Sequence, residues 1–141
     1  MSLGTILARK TVTAAPGNSL ADVARRMQEE NVGAIVVTRD DRPLGIITDR
    51  DLALAVCVRG VSPEEPVQNV MTCPVSTIRE DEGIFDATRQ MMETAVRRLP
   101  VVDKYKRLKG LISLDDLLLL LSRELSNLSG GVRAEMTAER T

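Results

Sequence analysis

Two segments carry residue types whose spacing would let them cooperate in chemistry: Gly45-Ile-Ile-Thr48-Asp49-Arg50-Asp51 and Gly110-Leu-Ile-Ser113-Leu114-Asp115-Asp116. Both read G-h-h-[ST]-x-x-D, with h an apolar residue. A Thr or Ser with an acid three residues later is the signature of a helix start closed by a capping box, although Asp is shorter than the usual Glu. The same geometry suits an anion. The first turn of a helix presents unpaired N–H groups and a partial positive charge that favour a phosphate, and the hydroxyl can join those donors. An Asp three residues on can accept from two vicinal ribose hydroxyls, as acidic residues do in dinucleotide-binding folds. Gly45 and Gly110 would let backbone come close. Recurrence of the whole pattern at matching places favours a ligand site over capping alone.

The rest of the composition removes competing chemistries. Histidine is absent, which takes away the usual general base near neutral pH, the common metal ligand and every Ser-His or Cys-His pair. Asp49, Asp51, Asp115 and Asp116 could in principle hold Mg²⁺ for phosphoryl chemistry, but no P-loop or further catalytic set accompanies them. An enzyme is therefore not expected, and neither a metal nor a required cofactor is assigned. Lys and Arg together number 19 against 20 Asp and Glu, so no global field would gather DNA or an acidic membrane. Phe85 and Tyr105 are the only aromatics, which leaves almost nothing to stack on nucleic-acid bases. Cys57 and Cys73 form no CxxC, and residues 1–10 lack the pattern of a secretory signal, so a reduced cytoplasmic setting is expected. The longest apolar runs, residues 52–58 and 117–121, fall far below a membrane span.

The elements that must position the two motifs recur in order. Ser19 caps a helix in which Leu20, Val23, Ala24 and Met27 fall on one side. Residues 32–38 and 44–47 read as strands of a hairpin with turn chemistry at Asp40-Asp41-Arg42-Pro43, and Thr48 opens a helix to about residue 58. The same order follows in residues 82–94, 99–102 and 108–112, with Ile84, Ala87, Met91 and Met92 on the helix's apolar side and a closing helix to about Asn127. Asp22-Val-Ala-Arg-Arg-Met27 lies over Asp86-Ala-Thr-Arg-Gln-Met91 at a shift of 64 residues. A short extended piece starts each copy, Thr11-Val12-Thr13 and Pro74-Val75-Ser76-Thr77, giving an α/β (α+β) chain of two β-α-β-β-α units. Neither unit covers its own sheet, so the two should pack together with pseudo-two-fold symmetry.

With Asn31-Val-Gly-Ala-Ile-Val-Val37, Asn69-Val70-Met71-Thr72-Cys73-Pro74-Val75 and Arg98-Leu-Pro-Val-Val-Asp103 added to the two motifs, the chain resembles a tandem pair of CBS domains, the modules named after cystathionine β-synthase. The resemblance runs from about Leu3 to Asn127. It implies a first CBS repeat in residues 1–62 and a second in 63–128; beyond it Gly130-Gly131 and a polar stretch without an apolar face read as a tail in 129–141 that is flexible or borrowed by a partner. It also implies a Bateman-type unit with a cleft on each side that takes an adenosine-containing ligand such as AMP, ADP, ATP, NAD or S-adenosylmethionine. Carried over by position, Thr48 and Ser113 would meet phosphate or ribose, and Asp51 and Asp116 would hold the ribose hydroxyls. Lys10-Thr11-Val12 and Cys73-Pro74-Val75 would contact the adenine, helped by Ala34-Ile35 and Leu99-Pro100. Arg50, Arg97 and Arg98 are the phosphate candidates. Gly33-Ala34 stands in the first copy where Arg97-Arg98 stands in the second, so the two clefts should differ in charge.

The function this implies is a regulatory nucleotide sensor that signals to a partner protein. The alternative is an assembly module that makes a homodimer and whose clefts are vestigial. Leu117, Leu118, Leu120 and Leu121 are more than one intramolecular face needs, so some should meet a partner helix.

Overall fold

The structure is a computed structural model that describes residues 2–7 and 11–139. After a short helix α1 (Leu3–Ile6) comes the first repeat: β1 (Thr13–Ala14), α2 (Leu20–Glu30), β2 (Ala34–Arg39), β3 (Arg42–Thr48) and α3 (Asp49–Ala53), which continues as a π-type turn over Leu54–Val58. A 3₁₀ turn (Val67–Asn69) leads to the second: β4 (Ile78–Arg79), α4 (Ile84–Thr94), β5 (Arg98–Val102), β6 (Leu108–Ser113) and α5 (Leu114–Glu139). Each repeat forms its own three-stranded sheet, β1-β2-β3 and β4-β5-β6, in which the first pair is parallel and the second antiparallel.

Local chemistry explains the helix limits. Ser19 accepts the Asp22 N–H at the start of α2, and Asn31, in the left-handed region at φ 53°, ends it. In α4 the Asp86 carboxylate takes the Gly83 N–H, and Ala95 occupies the corresponding left-handed position. Leu20, Val23 and Met27 of α2 pack on Ile35, Val37 and Ile47; Ala87 and Met91 of α4 pack on Leu99, Val101 and Ile112. Met92, expected on that apolar side, is 79% exposed, because it stands one helical step (about 100°) from Met91 and off the buried stripe.

Val36 is fully buried yet belongs to neither helix-side core, and strand alternation puts it on the opposite face of its sheet. Pro100 is its counterpart in the second sheet and is likewise buried. These are the faces that no helix of their own repeat covers. The hairpin tips are tied across the repeats: the Leu108 N–H donates to Asp41 O at 2.7 Å and Arg42 Nε to Tyr105 O at 3.3 Å.

The repeats also exchange segments. Leu3 is fully buried in the second core, where its N–H donates to Glu82 O, while Val67 is fully buried in the first core and its N–H donates to Asn18 O. Bridges Ser2 to Gly83 and Ser19 to Pro66 are images of one another under the 64-residue shift, which is the pseudo-two-fold symmetry in its most local form. The glycines of the two motifs serve this exchange. A Cβ on Gly45 would come within 2.6 Å of Met71 Sδ and 2.7 Å of Thr72 O, and one on Gly110 within 2.7 Å of Leu7 Cδ1. The close approach expected there is made by the crossing segments.

Four boundaries differ from expectation. β1 and β4 begin later than residues 11 and 74, because pairing starts only where Thr13 meets Val36 and Ile78 meets Val101. β3 begins at Arg42, since Asp40 and Asp41 at φ 52° and 63° complete a tight two-residue turn. Helix α5 runs on past Asn127 to Glu139, through Gly130 and Gly131. The longer second turn is organised by Asp103, which is buried and accepts the Tyr105 and Arg107 N–H groups and Arg107 Nε. Burial alone would raise its pKa, but those donors and the guanidinium charge outweigh it and hold the carboxyl below the usual carboxylate range.

Candidate functional site

Both motifs fold as capping boxes. The Asp51 N–H donates to Thr48 Oγ1 at 3.1 Å while the Thr48 N–H donates to Asp51 Oδ2 at 2.9 Å; at α5 the Asp116 N–H to Ser113 Oγ and Ser113 N–H to Asp116 Oδ2 bonds are both 3.0 Å. Capping takes only one carboxylate oxygen, so Oδ1 of each Asp retains its lone pairs for a ligand hydroxyl.

The two helix starts are not equivalent toward an anion. In α3, Asp49 Oδ1 accepts the Arg50 N–H at 2.8 Å and the Asp49 N–H donates to Gly33 O, so the whole first turn is satisfied within the repeat. The expected unpaired donors at that end are consumed by its own aspartate. In α5 Leu114 replaces Asp49; its N–H donates to Arg97 O, and no side chain takes the Asp115 N–H among the described residues.

A cleft of about 220 Å³ lies against the α5 start, lined by Thr11, Val12, Asn31, Val32, Gly33, Ala34, Arg97, Arg98, Leu111, Ser113, Asp115 and Asp116. It therefore brings together Thr11, Val12 and Ala34 of the first repeat with Arg97, Arg98, Ser113 and Asp116 of the second. Thr11 Oγ1 is buried without a hydrogen-bond partner among the described residues, a state that costs about 1–3 kcal/mol. Arg97 reaches Asp115 at 3.4 Å, but both side chains are more than two-thirds exposed and such a pair contributes little. Arg98, half-buried, has no hydrogen bond or ion pair among the described residues.

Several expected site residues stand elsewhere. Ile35 and Leu99 are fully buried in the two helix-side cores and offer no side chain to a cleft, because alternation along β2 and β5 points them away from it. Pro100 is buried on the face between the sheets. Thr48, Arg50, Asp51 and Val75 are the pseudo-symmetric counterparts of Ser113, Asp115, Asp116 and Thr11 and do not line this cleft. Cys73 and Pro74 are exposed ahead of β4. Lys10 lies outside the described residues. Gly33-Ala34 and Arg97-Arg98, expected to distinguish two clefts, face the same one.

Asn31, Val32, Leu111 and Asp115 were not among the expected site residues. Leu111 is the first of the two apolar residues of its motif, and Asn31 is the left-handed cap that turns the chain from α2 toward β2. Among the described residues no group of three or more acidic or Cys side chains is arranged to hold a metal ion, and no helix is long and apolar enough to cross a membrane.

Comparison with known proteins identifies this architecture. The family model described as CBS domain matches twice, over residues 3–57 and 67–123. The chain is 34% identical over 120 residues to the uncharacterized protein MK0525 of Methanopyrus kandleri, covering 84% of this chain and spanning 61% of that protein's length. It is 32% identical over 130 residues to the CBS domain-containing protein YhcV of Bacillus subtilis, covering 92% and 90% of the two chains. In three dimensions it resembles the CBS domain pair of protein MJ0100, solved in complex with 5′-methylthioadenosine and S-adenosyl-L-methionine, with a TM-score of 0.77, 25% identity and coverage of 88% and 98%. The duplicated unit is thus that of a known module, and the chain belongs to the CBS domain family, carrying two such domains in tandem.

Proposed function

We propose that this chain is a regulatory module that binds an adenosine-containing ligand in the cleft between its repeats and passes the bound state to a partner protein. The observation that carries the reading is that one cleft is walled by both repeats and lined by two residues with unused polar groups, Asp116 with its Oδ1 and Arg98 with its guanidinium. In this reading Asp116 accepts from the ribose hydroxyls, Ser113 and the α5 start meet the ribose or first phosphate, and Arg98 with Arg97 takes phosphate. Thr11, Val12 and Ala34 contact the base. A sensor needs a ligand with unequal affinity for two arrangements, and a ligand touching both repeats is placed to respond to how they pack. The ligands of the MJ0100 pair support the adenosine class, and AMP, ADP, ATP, NAD and S-adenosylmethionine are its candidates here. Thr48, Asp51 and Arg50, with Cys73, Pro74 and Val75, would form the second, weaker site, since the α3 start has spent its donors. The role is regulatory, not catalytic, and the unbonded Cys57 and Cys73 suit a reducing cytoplasm.

Titration calorimetry with that panel tests the reading. The wild-type chain should bind at least one ligand saturably. Asp116→Asn, whose amide oxygen keeps the cap, should weaken binding about tenfold or more, and Arg98→Ala should weaken phosphate-bearing ligands about tenfold while sparing uncharged nucleosides. No binding of any member, or equal affinity in all three proteins, would overturn it.

A further inference from the structure

The wall that the first repeat gives to the cleft includes the bare lead-in to a two-residue strand: Thr11 and Val12 line the cleft, whereas β1 begins only at Thr13. Its backbone is held from neighbouring elements. The Val36 N–H of β2 donates to Val12 O at 3.2 Å, and Arg26 Nη1, reaching from α2, donates to Thr13 O at 2.7 Å. Arg26 itself is half-buried and does not line the cleft. The second repeat makes the side-chain bond with a different residue. Gln90 and Thr77 stand at the 64-residue shift from Arg26 and Thr13, and Gln90 Nε2 donates to Thr77 O at 2.7 Å. Arg and Gln both end in planar N–H donors on a flexible arm but differ in charge, so what the two copies share is the bond. The backbone bond is not shared. Pro100 stands where the first repeat has Val36 and has no N–H to give, so pairing begins with Ile78 and Val101, the counterparts of Ala14 and Val37.

We infer that Arg26 is a positioning residue of the ligand site: from α2 it fixes the carbonyl that follows Val12, and with it the wall that Thr11 and Val12 offer to the base. The inference takes the cleft as the ligand site from the nucleotide reading and adds how its first-repeat wall is set. A wall already ordered before the ligand arrives does not have to be ordered on binding, and that is how a bond remote from the ligand adds affinity. Gln90 plays the same part for the segment ahead of Ile78, where Pro100 leaves it without the backbone donor.

Amide relaxation of the ligand-free chain by NMR and titration calorimetry test this together, on Arg26→Ala, Arg26→Gln and Gln90→Ala. In Arg26→Ala the backbone order parameters of residues 11–13 should fall below wild type. In Arg26→Gln they should return, because Gln90 shows that a glutamine spans the distance. Gln90→Ala should loosen Ser76 and Thr77 more than Arg26→Ala loosens Val12 and Thr13. Arg26→Ala should bind about three- to tenfold more weakly, adenosine as much as AMP, with its thermal unfolding unchanged, and Arg26→Gln should restore the affinity. Unchanged order parameters in Arg26→Ala, or wild-type affinity there while Asp116→Asn binds more weakly, would overturn the inference. So would an Arg26→Gln that binds as poorly as Arg26→Ala, since the charge and not the bond would then matter. Equal or reversed loosening in the two repeats would overturn the part given to Pro100. A wild type that binds no adenosine ligand yet shows the order-parameter changes would overturn the nucleotide reading alone, with the clamp upheld.

Discussion

In the proposed site one side chain does two jobs. Asp116 closes the α5 cap with one carboxylate oxygen and has the other to offer, so a ligand role would add to its structural one instead of competing with it. Asp51 sits in the same box, but Asp49 beside it has already satisfied the first turn. The twin motifs were legible in the sequence. Their inequality was legible only in part, because the Asp49-for-Leu114 difference matters through a backbone bond that spacing does not reveal. Asp103 shows a purely structural carboxylate: buried, with three donors on it, and with a pKa held below the usual carboxylate range. Because the native value is the depressed one, its contribution is complete above the unfolded value near 4 and is lost as pH falls through the native value. Thermal melts against pH should show this directly: Asp103→Asn should lower Tm at neutral pH and flatten the decline below about pH 4. An unaltered acid limb would show that Asp103 contributes nothing to acid sensitivity.

At the scale of elements, helices and hairpins were readable because each carries its own signal: Ser19 before α2, the buried stripe of Leu20, Val23 and Met27, and the β-branched run of β2. What the sequence concealed were the contacts between copies. Nothing in the local pattern of residues 2–7 marks Leu3 as a core residue of the second repeat, and nothing in Gly45 or Gly110 distinguishes room for a ligand from room for a crossing chain. The registers of β1 and β4 were likewise set by pairing with β2 and β5, not by their own short sequences. The crossing makes a graded expectation. Gly45→Ala drives a Cβ into the Thr72 carbonyl and Met71, whereas Gly110→Ala meets only the movable tip of Leu7. Denaturant unfolding should therefore show Gly45→Ala destabilised by about 1–3 kcal/mol and Gly110→Ala by distinctly less. Equal costs would mean that the crossing segments yield alike.

At the scale of the whole molecule, duplication supplies a frame in which a cleft can be made from both halves. Thr11, Val12 and Ala34 come from one repeat and Arg98, Ser113 and Asp116 from the other, so neither half alone contains the proposed site. Exchange of Leu3 and Val67 between the cores couples the halves mechanically, and a ligand in the cleft would bear on that coupling. The most direct test of the central claim is amide chemical-shift mapping of the full chain during titration with whichever adenosine ligand binds tightest. Shifts should concentrate at residues 11–12, 31–34, 97–98 and 111–116, with smaller changes at 48–51. Perturbations confined to surfaces away from these positions, or none at saturating ligand, would contradict the account.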